Sequence, residues 1–288
     1  MRGVFVALIT PFLEDLSIDW KTFERLVDWL CDQGIDGVVP CGTTGEALAL
    51  SPEEQREVIR STVKTARKRV QVLAGTAGVT LPQTLSLMRA AQAEGAEGAL
   101  VVTPYYIRPS QEGLFQYYSA LHQATQFPMV LYNNPGRTCV TLEVSTIRRL
   151  AELPFVLGLK DSSSDLSRPI NLMSHLTLFS GEDATFLPFL AAGGHGIISV
   201  SAGIIPGLYQ RIWHAWQNKE MHEAQHLAQA LSYFNAPFFQ ASNPGPIKYA
   251  YSLLGWGKPY LRVPLGPLPA SCAQGIAQRL TELERVIH

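Results

Sequence analysis

The chain has 288 residues, 47% hydrophobic and 16% charged, enough apolar material for one large α/β barrel or two smaller domains. Its formal net charge of −1 gives no electrostatic footprint for nucleic acid or an anionic membrane surface, and its apolar runs are too short to span a bilayer. Cys31, Cys41, Cys139 and Cys272 show no paired spacing, which fits a reducing, cytoplasmic location.

The apolar run at 4–9 lacks a small-residue cleavage site and reads as a first core strand rather than a leader. Asp19 is placed to N-cap a helix with Phe23, Leu26, Val27 and Leu30 on its apolar face and Gly34 as its stop. After a second strand at 37–39, Ser51-Pro52-Glu53-Glu54 combines an N-cap, a proline at N1 and a glutamate at N3. Strands then alternate with helices: strands at 70–74, 98–102, 129–132, 155–159, 177–179 and 196–200, helices near 81–94, 111–125, 141–152, 165–175, 185–192 and 206–217. The strands are too apolar for a one-sided antiparallel sheet and are typical of parallel strands buried on both faces. Eight of them with crossovers of this length predict a (β/α)8 TIM barrel over 1–218. No Gly-x-Gly-x-x-Gly follows the first strand, which disfavours a dinucleotide fold. Residues 219–288 predict further helices near 219–235, 246–254 and 270–287. No Gly/Ser-rich linker precedes them, so this C-terminal segment is expected to pack on the barrel.

In this barrel class chemistry sits at the C-terminal ends of the strands. Those ends carry hydroxyls and glycines, a single amine, Lys160, and a single arginine, Arg137. Lys160 closes the run Phe155-Val156-Leu157-Gly158-Leu159, where desolvation favours the neutral amine that can form an imine with a carbonyl. Alone, it is equally a lysine snorkelling from a strand end. Gly42-Thr43-Thr44-Gly45 offers hydroxyls and amides to a small carboxylate, or is an ordinary βα turn. Tyr132 ends its strand, where its phenol can relay protons or simply pack. Arg137 can clamp a second carboxylate or be solvated. Tyr105-Tyr106 fits a site or a subunit interface. His222-Glu223-Ala224-Gln225-His226 matches the short H-E-x-x-H zinc motif, but no third ligand follows at a suitable spacing. It reads as a coincidence of an amphipathic helix, and no metal is expected.

Taken together, Gly42-Thr43-Thr44-Gly45-Glu46, Thr103-Pro104-Tyr105-Tyr106, Leu131-Tyr132-Asn133, Gly158-Leu159-Lys160, the run from Gly193 to Val200 and Asn243-Pro244-Gly245-Pro246-Ile247-Lys248 resemble the dihydrodipicolinate synthase / N-acetylneuraminate lyase family of class I aldolases. The resemblance covers essentially the whole chain and looks strongest to the branch that condenses pyruvate with L-aspartate 4-semialdehyde on the route to lysine. It implies that Lys160 forms the Schiff base and that Tyr132 shuttles protons through Thr43 to Tyr106. Tyr106 then comes from the neighbouring subunit of a homodimer or homotetramer. Thr44 would bind the pyruvate carboxylate, Gly181 and the Ile198 backbone would line the site, and Arg137 would receive the semialdehyde carboxylate. Neither a metal nor an organic cofactor is implied. The chain departs from the synthase pattern at Asp161-Ser162-Ser163, where Glu-Ala is common after the lysine, and at Asn134 and Gly245. A related sugar-acid or neuraminate lyase, or a silent oxo-acid-binding barrel, are the alternative readings. Pro52, Gln55, Val79 and Gln83 stand where lysine-inhibited relatives carry polar and acidic residues, so the resemblance implies weak or absent lysine feedback.

Overall fold

The computed structural model describes the backbone of residues 1–287 and side chains through residue 282. Among these residues eight parallel strands close into a barrel in sequence order: β1 (Gly3–Ala7), β2 (Gly37–Val39), β3 (Gln71–Gly75), β4 (Gly98–Val102), β5 (Met129–Asn133), β6 (Val156–Asp161), β7 (Thr177–Ser180) and β8 (Gly196–Ser199). The crossovers carry α1 (Trp20–Asp32), α2 (Pro52–Ala66), α3 (Leu81–Ala93), α4 (Gln111–Thr125), α5 (Pro135–Thr138), α6 (Val144–Ala151), α7 (Ser167–Leu172) and α8 (Phe186–Ala191). After β8 come α9 (Pro206–Gln217), α10 (Met221–Asn235), α11 (Gly245–Leu253) and α12 (Ala270–Ile287). No helix among the described residues is long and apolar enough to cross a membrane.

Helix starts are chemically specified. The Asp19 carboxylate accepts from the Thr22 N–H at 3.1 Å, and Gly34 leaves α1 at φ +73°. Ser51 and Glu54 form a reciprocal capping box on α2, as Thr80 and Gln83 do on α3. Phe23, Leu26, Val27 and Leu30 are fully buried, as the 3.6-residue spacing requires.

Two apolar layers result. The larger lies between strands and helices. The smaller fills the barrel with Phe5, Val39, Leu73, Leu100, Val130, Phe179 and Ile198, one from every strand except β6. Phe5 and Phe179 meet edge to face at 5.2 Å, and Gly37 is required because a Cβ there would lie 2.2 Å from the Phe5 ring. On β6 the inward positions are instead Gly158 and Lys160, so the barrel's lining is interrupted on that strand alone.

β6 runs further than its apolar stretch suggests, through Lys160 to Asp161. Asp161 faces outward into a buried ion pair with Arg168 of α7 (2.7 Å), accepts from the Asn133 amide at 3.1 Å, and Arg168 also donates to the Leu142 carbonyl at 2.7 Å. The short helix α5 is likewise absent from the sequence reading, and α6 starts three residues later than expected because Leu142 and Glu143 are held by the Asn133 and Gln111 side chains. The segment after β8 folds back across α1, where Trp256 stacks against Trp29 at 5.2 Å and the Arg25 guanidinium lies 4.9 Å from the Trp256 ring. His222, Glu223 and His226 sit on the exposed side of α10, and Glu223 pairs with Arg211 at 3.2 Å.

Removing one partner of a buried ion pair leaves the other uncompensated. Arg168→Leu is therefore expected to lower unfolding stability by about 3–5 kcal/mol, measured by denaturant titration, against ~1 kcal/mol or less for the exposed Arg149–Glu112 pair.

Candidate active site

The pairing of β5 with β6 decides which way Lys160 points. Met129 pairs with Val156, but Val130 pairs with Gly158, so Leu157 is bulged out of the ladder and is 39% exposed. Beyond the bulge Tyr132 pairs with Lys160 and Asn133 with Asp161. Side chains of paired residues share a face, so Lys160 joins Tyr132 inside the barrel while Asp161 joins Asn133 outside. An unshifted register would send Lys160 outward. In place, Lys160 is only 6% exposed and its ammonium lies 4.4 Å from the centre of the Tyr132 ring.

Gly181 makes room for it. A Cβ at 181 would fall 2.0 Å from the Ser162 hydroxyl and 3.1 Å from Lys160 Cε, and the Gly181 N–H is tied to the Asp161 carbonyl at 2.7 Å. The Tyr132 hydroxyl accepts from the Asn134 amide at 2.8 Å, and the Asn134 carbonyl oxygen of the side chain accepts from the Arg137 N–H at 3.2 Å, capping α5. One asparagine thus orients both the phenol and the arginine. Burial works to raise the Tyr132 phenol, but the Lys160 ammonium, the Asn134 donor and the Arg137 charge outweigh it, and the phenol lies below its ordinary range. Glu182, half-buried, moves the other way. Burial pushes its carboxyl up, helped by Asp183 and opposed by Lys160 and Arg137. Its loop is fixed through Asp183, which accepts from Ser199, from Tyr209 and from Ser201 (2.9 Å).

These groups surround a cavity of about 160 Å³ lined by Thr43, Thr44, Tyr132, Arg137, Lys160 and Glu182 among others. A second cavity of about 320 Å³ adjoins it, sharing Thr43, Arg137 and Asn243 and reaching Leu48 and Tyr105. Thr44 is buried, with its hydroxyl accepting from the Asn243 amide at 3.0 Å, whereas Thr43 faces the opening. Of the residues expected from sequence, Lys160, Tyr132, Thr43, Thr44, Arg137 and Gly181 come together. Tyr106 does not join them within the chain: it stands 90% exposed at φ +72°. Ile198 is fully buried in the inner layer, and Val200 takes the place on the cavity wall. The roles of Asn134, Glu182 and Asn243 went unread. The first two lie at strand exits and were visible as polar groups there, but Asn243 reaches Thr44 across 199 residues, which no local pattern signals.

The dihydrodipicolinate synthetase family model matches residues 1–283. The 4-hydroxy-tetrahydrodipicolinate synthase of Rhodospirillum centenum is 45% identical over 270 residues, covering 92% of each chain. Among solved structures, the 4-hydroxy-tetrahydrodipicolinate synthase of Methylacidiphilum fumariolicum SolV superposes with a TM-score of 0.96 at 34% identity, covering 100% of this chain and 97% of its own. The chloride-inhibited dihydrodipicolinate synthase of Acinetobacter baumannii, solved with pyruvate, does so with a TM-score of 0.95 at 37% identity, covering 98% and 99%.

Asn134→Ala removes a donor that favours the ionised phenol. The Tyr132 titration is expected to move to higher pH, read as an ultraviolet difference titration against Tyr132→Phe; an unmoved titration would mean that Asn134 does not tune it.

Proposed function

The chain belongs to the dihydrodipicolinate synthetase family, and on that premise we propose that it condenses pyruvate with L-aspartate 4-semialdehyde through a Schiff base on Lys160. It is a lyase-type enzyme by that membership. The observation that carries the proposal is the buried Lys160 amine against the Tyr132 ring, opening into a cavity that also holds Thr44 and Arg137.

Each residue then has a physical task. Lys160, once its ammonium has given up a proton, adds to the ketone carbon of pyruvate while the Thr44 region holds the carboxylate. Tyr132, its phenol already eased toward ionisation, takes and returns the protons that carbinolamine formation and water loss demand. The iminium drains electron density from the pyruvate methyl, which loses a proton to give the enamine. The enamine carbon attacks the aldehyde, and Arg137 holds the second substrate by its carboxylate. Gly181 keeps the lysine's arc clear, and Ile198 supports the inner layer beneath it. No step calls for a metal or an organic cofactor.

Tyr106 fits this scheme as a contribution to a second copy. A bulky residue at positive φ is strained, and this one projects into solvent next to exposed Ile107, just after Tyr105, which lines the larger cavity. We assign it to the Thr43 hydroxyl of a neighbouring subunit in a homodimer or homotetramer. Within the chain we divide a barrel at 1–218 from an appended segment at 219–288.

Borohydride reduction in the presence of pyruvate is expected to give a covalent adduct on Lys160, read by mass spectrometry, and none in Lys160→Ala. A wild-type protein without the adduct would overturn the proposal. Arg137→Ala is expected to leave the adduct intact and to raise KM for the semialdehyde about 10–100-fold, the scale of a lost charge-assisted hydrogen bond. Lysine is expected not to inhibit at micromolar concentration in a steady-state assay. Pro52 and Val79 offer no polar group, the Gln55 amide is committed to the Ala47 carbonyl at 2.9 Å, and Gln83 caps α3.

A further inference from the structure

The segment that follows the barrel reaches into the site from outside it. Three successive residues of the turn after β2 are each held by a side chain or amide from elsewhere. The Thr44 hydroxyl accepts from the Asn243 amide at 3.0 Å, and the Gly45 carbonyl accepts from the Thr10 hydroxyl at 2.8 Å. The Glu46 carboxylate accepts from the Lys248 ammonium on one oxygen and from the Arg262 N–H at 2.9 Å on the other. Both side chains of the Lys248–Glu46 pair are completely buried. Lys248 also donates to the Tyr260 carbonyl at 2.8 Å and lies 4.0 Å from the centre of the Phe12 ring. Burial pushes its ammonium below the usual lysine range even with Glu46 beside it.

A buried pair of this kind is a poor device for stability alone, because apolar groups of the same size often serve equally well. What it supplies is direction. Glu46 occupies a left-handed backbone conformation (φ +53°, ψ 35°), which a glutamate adopts at a cost, and its carboxylate is fixed from two sides. Thr44 is two residues earlier, so the orientation of Glu46 sets where the Thr44 hydroxyl and amide stand relative to Lys160.

We propose that Lys248, acting through Glu46, and Asn243, acting through Thr44, are positioning residues that hold the pyruvate-binding turn in register. The inference rests on the reading that this turn takes the pyruvate carboxylate. It makes the C-terminal segment part of the imine-forming half of the reaction and not of the aldehyde half.

The test is the pyruvate concentration that gives half-maximal borohydride trapping on Lys160, with KM for both substrates beside it. Lys248→Met and Asn243→Ala are each expected to raise the pyruvate requirement about tenfold, the scale of a misplaced binding group, and to change KM for the aldehyde less than about twofold. Asn243→Ala removes one half-buried amide and carries the test should Lys248→Met not fold. Leu231→Ala, a core truncation in α10 away from the turn, lowers stability without moving the pyruvate requirement. If both variants trap pyruvate with wild-type half-saturation, or if Leu231→Ala raises it equally, the positioning role is overturned. If wild-type protein traps no pyruvate at all, the reading of the site and this inference fall together.

Discussion

A lysine ammonium enclosed by an otherwise apolar barrel must be given somewhere to lie and something to replace water, and the surrounding structure answers both demands. Space comes from Gly181, which leaves the β7 exit without a side chain where the lysine passes. Compensation comes from the face of Tyr132 at 4.4 Å and from the Glu182 carboxyl farther into the opening. The same proximity works in reverse on the phenol, which the ammonium eases toward ionisation against the effect of burial. The ammonium that the phenol's ring helps to hold is thus also the group that tunes the phenol.

Around this centre the fold uses buried polar links of unequal reach. Asp161 and Arg168 lock the outer side of the strand that carries the lysine, only seven residues apart. Asn134 joins the phenol to the start of α5 and so to Arg137. Lys248 and Glu46 join parts of the chain separated by 202 residues. The Asp161–Arg168 and Lys248–Glu46 links end on a residue close to a functional group rather than on the group itself, whereas Asn134 donates to the phenol directly.

How much of this could be read from the chain depended on range. The strands announced themselves because parallel strands covered on both faces must be apolar throughout, and the first two helices because Asp19 and Ser51 carry capping chemistry in neighbouring residues. Lys160 was legible as an amine at a strand exit. Its strand was not fully legible, since Lys160 and Asp161 are polar and look like a turn until Arg168 is known to neutralise the aspartate. The family pattern draws attention to Thr43 beside Tyr132, and says nothing of Asn134, two residues along the same exit, which donates to the phenol within the chain. Contacts from Asn243 and Lys248 onto the turn after β2 have no local signature and emerge only when the chain closes on itself.

The bulge at Leu157 carries a consequence for how such chains change over time. Inside and outside alternate along a strand, so the identity of the inward residue at the barrel mouth is a matter of parity, and here the bulge takes up one extra residue without disturbing that parity. Deleting Leu157 would leave Val156 and Gly158 in successive ladder positions, with Lys160 still opposite Tyr132. Deleting Leu159, which is paired in regular register, would instead exchange the environments of Lys160 and Asp161, presenting a carboxylate to the pocket and an ammonium to Arg168. The strand can therefore absorb a gap at its bulge but not two residues further along.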